Sequence, residues 1–454
     1  MAGWASLEEL VYQEVVQRAE EGCDTAGFRE RIAGCGGDAE KLTAVYAELS
    51  ALPVREDFPY TEPDGWEEIR AAAETKEDAA TAPIPREELR DRMQGAWLGR
   101  CIGCALGKPF ECGEYVAGDG KTGAPAFIRE WLKGADAYPL DGYVPGTSRA
   151  ADRRMPVICP DSQRERIAFM ESDDDIRYLV TGLLLAEQCG DSFTPDDVAR
   201  IWMQYLPAGQ CCTAERQAYI NCLNTEIADD EQRWAYIRGH MNPYREWIGA
   251  QIRVDQYAYI HAGYPLRAAR TAWQDARFSH VKNGVYGAMF VAAMIAAAFR
   301  ERDAKRCVEI GLSVIPRTSR LYEAVGKAVA AAEQAGTAEE LQDRLWEMFG
   351  AYNWVHTINN AAACAAAIVF GGGDFSQTLT AAVCCGWDTD CNGATVGSFL
   401  GAFCGASRIP EHWKQPLHDT LYSGIPDFHP VSISACAARS LAVYDRLHGN
   451  GSEK

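Results

Sequence analysis

The chain has 454 residues, 47% of them hydrophobic and 24% charged, a globular balance long enough for one large domain or two to three ordinary ones. A net charge of −20 with no long basic run argues against a nucleic-acid partner, because phosphate binding depends on clustered Lys and Arg. The opening MAGWASLEEL lacks the basic flank and apolar core of a signal peptide, and the longest nearly apolar stretch, GAMFVAAMIAAAF at 287–299, is shorter than the roughly 20 residues a membrane-spanning helix needs. A cytoplasmic setting without membrane attachment is the expectation.

Along the chain, the first 50 residues read as helical: Ser6 and Glu9 form a capping box, and Leu7, Leu10, Val11 and Val15 share a face. Residues 53–85 turn Pro-rich and charged, as a boundary segment does. The expected division is therefore an N-terminal helical extension with its linker, 1–85, and a main domain, 86–454. From there helical periodicity dominates. Leu89, Met93, Ala96, Trp97, Cys101 and Cys104 mark one helix, with Gly95, Gly99 and Gly103 permitting close backbone approach. Ile176, Leu179, Val180, Leu183 and Leu184 mark another, Val285 to Ile295 a third, and Val396, Phe399, Leu400 and Phe403 a fourth. Strand-like alternation is scarce, so the fold class expected is all-α. Residues 109–170 are dense in Gly, Pro and Asp around one helical patch, FIREWLKG, and irregular stretches of that length are usually functional. The seventeen cysteines are expected to be reduced thiols, mostly small buried side chains. CIGC at 101–104 has no second pair at zinc-site spacing and reads as packing.

Two acidic knots stand out. In ESDDDIRYLVTGLLLAE, 171–187, Ser172 and Asp173–Asp175 precede an apolar helix; a helix dipole favours one or two acids there, but three exceed what it asks for. GWDTDCNGATVGSFLGAF, 386–403, repeats the design with Asp388 and Asp390. Like charges beside a buried segment are costly, and a shared cation relieves the cost if the two helix starts meet. Hard oxygen donors of this kind suit Mg²⁺, with Mn²⁺ or Ca²⁺ as alternatives.

Four segments in order resemble the ADP-ribosylglycohydrolase family. DRMQGAWLGRCIGCALGKPFE (91–111) is similar to its opening helix and "GDALGxxxE" turn, and ESDDDIRY to its "TDDT" metal segment. SHVKNGVYGAMFVAAMIAAAF (279–299) is similar to its His-containing central helix, and GWDTDCNGATVGSFLGA with the following IPEHW to its "GGDTDT…IPxxW" ending. The resemblance spans roughly 88–440. It implies an all-α fold, one or two Mg²⁺ ions held by Ser172, Asp173, Asp174, Asp388 and Asp390, and hydrolysis at C1″ of ADP-ribose. Glu111 would exchange protons, with Asp174 and Asp390 as the other carboxylates of the catalytic set. His280, Asn283 and Tyr286 would line the substrate cleft.

The chain departs from that pattern at several points. Cys391 replaces a metal-ligating Thr, and a thiol is a poor Mg²⁺ donor. Ser172 and Asp175 stand where the family has two Thr, and Cys104 replaces the Asp of its turn. The segment IRVDQYAYIHAGYP, 252–265, places Asp255 and several tyrosines where the family handles substrate, Asp255 being either a substrate contact or a structural ion pair. Trp387 is read as packing or as a wall of a sugar pocket. The expected function is metal-dependent cleavage of a ribosyl bond in an ADP-ribosylated substrate. A small-molecule furanoside or nucleoside-like substrate is one alternative, and an inactive ADP-ribose-binding or structural protein the other. Monomer and homodimer both stay open.

Overall fold

Two helices that touch backbone to backbone set the frame. In the computed structural model, which describes residues 4–78 and 83–449, the opening helix of the main body is Arg86–Gly107 and the closing one is Thr389–Cys404. Each carries glycine at every fourth residue: Gly95, Gly99, Gly103 and Gly107 on the first, Gly393, Gly397 and Gly401 on the second. That spacing puts them on one face. A Cβ built on Gly99 would lie 2.0 Å from the Gly397 carbonyl oxygen, and one on Gly103 would lie 1.8 Å from that of Gly393. Only hydrogen fits at these positions. The pair runs antiparallel, so the end of the opening helix meets the start of the closing helix, where the Thr389 hydroxyl donates to the Gly107 carbonyl at 2.9 Å.

Other helices enclose this pair. In the central helix Lys282–Ala298 every residue after Lys282 is buried, which is the signature of an interior helix rather than a half-exposed one. Helix Asp174–Cys189 carries the first acidic knot at its start. The described strands are two-residue pieces, Thr420–Leu421 and Val431–Ser432, paired antiparallel, so the fold is all-α as expected. No described helix is long and apolar enough to cross a membrane. In the interval 109–170, the expected helical patch is Ala124–Gly134, among short turns. All seventeen cysteines are free.

The N-terminal helices Leu7–Glu20, Phe28–Cys35 and Ala39–Ser50 surround a small core of their own, built on Val11, Val15, Phe28, Ile32, Leu42 and Leu49. The Ser6 hydroxyl accepts from the Glu9 amide at 3.3 Å, which is one half of the expected capping box. Buried arginines then tie distant segments together, each between two acids. Arg245 pairs with Glu14 at 2.8 Å and Glu21 at 3.0 Å. Arg320 pairs with Glu62 at 2.8 Å and Glu246 at 2.7 Å. Arg253 pairs with Glu215 and Asp275, and Arg100 with Asp175 and Asp255, both at 2.7 Å.

The glycine contact makes a signed prediction. Gly→Ala inside a helix ordinarily stabilises by up to about 1 kcal/mol, and Gly326, with nothing within 4 Å of the place a Cβ would take, should behave so. Gly99→Ala and Gly103→Ala should instead cost about 2 kcal/mol or more, since a backbone must move to admit the methyl. Denaturant unfolding of the three variants checks the contrast.

A second prediction concerns pH. Burial pushes the Glu21 carboxyl up, but Arg245 and Lys282 overcome this and hold it at about 2. A depressed carboxylate contributes stability above its unfolded value near 4.5, and that contribution is lost as pH falls toward 2. Stability measured between pH 5 and 2 should therefore fall less steeply in Glu21→Gln than in the wild-type protein.

Candidate cation centre

The two acidic knots meet. One ligand atom each from Cys104, Asp173, Asp175 and Asp390 lie within 4.8 Å of one another, and the same holds for Asp388, Asp390 and Cys391. Asp390 belongs to both sets. The helix frame explains the convergence: the glycine contact brings the start of the closing helix against the turn that carries Cys104 and Lys108.

Asp173 has two duties. It is the N-cap of Asp174–Cys189, its Oδ1 accepting from the Asp175 amide at 3.1 Å, while its Oδ2 accepts from the Lys108 ammonium at 2.8 Å. Lys108 also donates to the Ser172 carbonyl at 3.1 Å. Asp175 is clamped by Arg100, which is itself wholly buried. Arg100 also holds Asp255. Asp388 sits at the start of the closing helix, its amide donating to the Asn360 side-chain oxygen at 3.2 Å. The preceding Trp387 adopts a left-handed backbone, φ 58°, and its ring stacks on Trp346 with centroids 5.0 Å apart.

The charges do not balance within the group. Burial pushes the Asp173 carboxyl up, and Lys108 more than offsets this, holding it at about 2. Burial with the Asp173 charge raises Asp174 to about 8 and Asp390 to about 6. Glu111, half-buried at the mouth, is raised well above the carboxylate range by burial and by Asp390 and Asp388. Buried oxygens stay without partners: Oδ2 of Asp175 and Oδ1 of both Asp388 and Asp390. Unpaired carboxylate oxygens converging at this separation are what a divalent cation takes up, so the residues present fit a metal ion.

The sequence-expected residues divide. Asp173, Asp388 and Asp390 converge, with Glu111 close enough to feel their charges. Asp174 lies beside them, half-buried, but in neither set of converging atoms. The Ser172 hydroxyl is turned away from ligand duty, donating to the Ser423 carbonyl and accepting from Arg177, each at 2.9 Å. Asp255 pairs with Arg100 from a fully buried position, the geometry of the structural ion pair. His280, Asn283 and Tyr286 are also buried, and the N-terminal segment occupies two of them. Asn283 donates to Glu62 and Glu246 at 2.7 and 2.8 Å, and the Tyr286 hydroxyl donates to the Pro63 carbonyl. His280 Nδ1 bonds the Ser279 hydroxyl at 2.8 Å. Trp387 is packing. Of the tyrosines of 252–265, two are core, Tyr257 bonding Asp275 and Tyr259 bonding Ser398, both at 2.7 Å, while the half-buried Tyr264 stacks on His448 with centroids 4.6 Å apart. A cavity of about 530 Å³ between residues such as Glu74, Asp78 and Tyr322 has none of the acid group in its lining.

Sequence reasoning did not place Asp175, Cys104, Lys108 or Arg100 in this centre. A signal existed for two of them. Arg100 stands in the middle of an otherwise glycine-rich apolar run, and Lys108 follows the last glycine of the same face.

An all-helical body with aspartates from two helix starts gathered on one point defines a helical protein with a buried carboxylate cluster able to hold a metal ion. The chain belongs to the ADP-ribosylglycohydrolase family, whose model matches residues 85–448. Membership supports glycosyl hydrolase activity on ADP-ribosylated substrates. Comparison with curated protein sequences yields no match. A solved structure described as "ADP-ribosylglycohydrolase-related protein complex" is similar at 20% identity and a TM-score of 0.45, over 79% of this chain and 98% of that one.

The place of Asp255 is testable. Asp255→Asn leaves Arg100 short of one partner and should cost about 3 kcal/mol in denaturant unfolding. A raised KM at wild-type stability would instead return this residue to the substrate.

Proposed function

We propose that this chain is a divalent-cation-dependent glycohydrolase that cleaves the C1″ bond of an ADP-ribosylated substrate. The observation that carries the reading is the convergence of Asp173, Asp175, Asp388 and Asp390 from two remote helix starts in a chain of this family. Asp388 and Asp390, with unpartnered oxygens, would hold the ion. A bound cation supplies charge to fix vicinal ribose hydroxyls and to make a water more acidic.

The chain's own side chains do the rest. Positive charge developing at C1 in an oxocarbenium-like transition state faces a wall of carboxylates fixed before substrate arrives, so little reorganisation is needed. Glu111 is half-open and adjoins those carboxylates, the position for exchanging a proton with the departing group or the attacking water. Arg100 and Lys108 hold Asp175 and Asp173 in place. Because Asp255, Tyr257 and Tyr259 are buried and hydrogen-bonded within the fold, these residues do not by themselves argue for a small-molecule furanoside. Cys391 keeps the binding-only alternative in play, and turnover decides it.

The test is hydrolysis of ADP-ribosyl-arginine, ADP-ribosyl-serine, free nucleosides and aryl furanosides with Mg²⁺, with Mn²⁺ and with chelator. Release of ADP-ribose that chelator abolishes is expected, and tight binding of ADP-ribose with no turnover on any substrate would refute the proposal. Glu111→Gln should lower kcat by about 10²–10⁴. Asp390→Asn should lower it further, since positioning and electrostatics are lost together.

A further inference from the structure

The acid group contains a positive charge of its own. Lys108 is 4% exposed, and its ammonium sits 2.8 Å from Asp173 Oδ2, 3.1 Å from the Ser172 carbonyl and 3.9 Å from Glu171. Those are oxygen donors at one side of the centre, and the ammonium already occupies them. The other oxygen of Asp173 is committed to capping its helix. Across the group, Asp388 and Asp390 each keep a buried oxygen without a partner, with the Cys391 sulfur beside them, and no lysine or arginine pairs with either among the described residues. The two halves of the centre, which share Asp390, are therefore unlike: on one side an ammonium engages Asp173 directly, leaving only Asp175 Oδ2 without a partner, while on the other no described cationic side chain is within ion-pair distance of Asp388 or Asp390.

From this asymmetry we infer that the centre takes a single divalent ion, on the Asp388–Asp390 side, and that the Lys108 ammonium stands permanently where a second ion would otherwise sit against Asp173. The inference rests on the proposed cation centre and deepens it. It narrows to one the one or two ions that the sequence resemblance implies. The physical reason is space and charge together. An ammonium within hydrogen-bond distance of Asp173 excludes a metal from the same oxygen, and a dication brought next to it would meet strong repulsion in a buried setting. A lysine is a compact point charge with three donors, able to bind two or three oxygens at once. It cannot lower the pKa of a coordinated water as a metal does, so a centre built this way keeps only one position for metal-assisted chemistry.

The experiment measures stoichiometry rather than activity. Chelator-stripped full-length protein is titrated with Mn²⁺ by calorimetry, and the loaded sample is examined by electron paramagnetic resonance. The wild-type protein should bind one equivalent and give the six-line signal of an isolated Mn²⁺ ion. Lys108→Ala should bind two equivalents and show the broadening of a spin-coupled pair, because two ions in one such centre lie roughly 4 Å apart. Lys108→Arg, which keeps the charge, should stay at one. Two equivalents or a coupled signal in the wild-type protein overturn the inference, whether or not the variants fold. So does a folded Lys108→Ala protein that still binds one ion at unchanged affinity. A wild-type protein that binds none overturns the proposed metal dependence as well, a result that the chelator arm of the hydrolysis assay reports separately.

Discussion

Everything in this molecule hangs from the contact between two glycine faces. The opening and closing helices are separated in sequence by nearly the whole main body, yet their carbonyls lie where side chains would ordinarily stand. Such a contact leaves little freedom to slide or rotate, because carbonyl oxygens and Cα hydrogens interlock at every turn. It therefore fixes where the closing helix begins. Asp388, Asp390 and Cys391 are brought to the Cys104–Lys108 turn by backbone geometry, and the acids need no attraction for one another to meet.

Around that rigid pair the fold is secured by arginines rather than by size of core alone. Arg100, Arg245, Arg253 and Arg320 are buried, and each is shared by two carboxylates, from separate segments except for Arg245, whose acids both lie on the first helix and its C-cap. Ion pairs out of water contribute little net stability when intact, but losing one partner strands the other charge. They act as locks on arrangement. Near the acid group the same device has a second effect, since Arg100 and Lys108 set the orientation of Asp175 and Asp173 and take part of their charge.

Much of this was legible from residue order. Helical periodicity and the scarcity of alternation pointed to the all-α class, the glycine spacing to close helix approach, and the acid-tipped helices to a meeting of the two acidic knots. The illegible part has a common cause. Asn283 and Tyr286 carry polar groups suited to a cleft, but their partners Glu62 and Pro63 lie more than 200 residues upstream. Pairing across such a span has no periodic or spacing signal. The partner of Asp255 was unreadable for the same reason, since Arg100 is 155 positions away. Lys108 was hidden differently. A lysine after a glycine-rich helix end reads as a solvated loop residue unless its place behind the last glycine of the packed face is taken as the sign that it turns inward.

The segment around Glu62–Asp64 has a further meaning for where this molecule can be cut. The family match begins at residue 85, which invites excision of everything before it. Yet Asp64 receives the first amide of the central helix at 2.7 Å, and Glu62 neutralises an arginine in the interior. The line drawn by ancestry is thus not a physical seam: tailoring the chain there would open a wound of unmatched charge beneath the central helix, and the upstream residues are part of what that helix is made to rest upon.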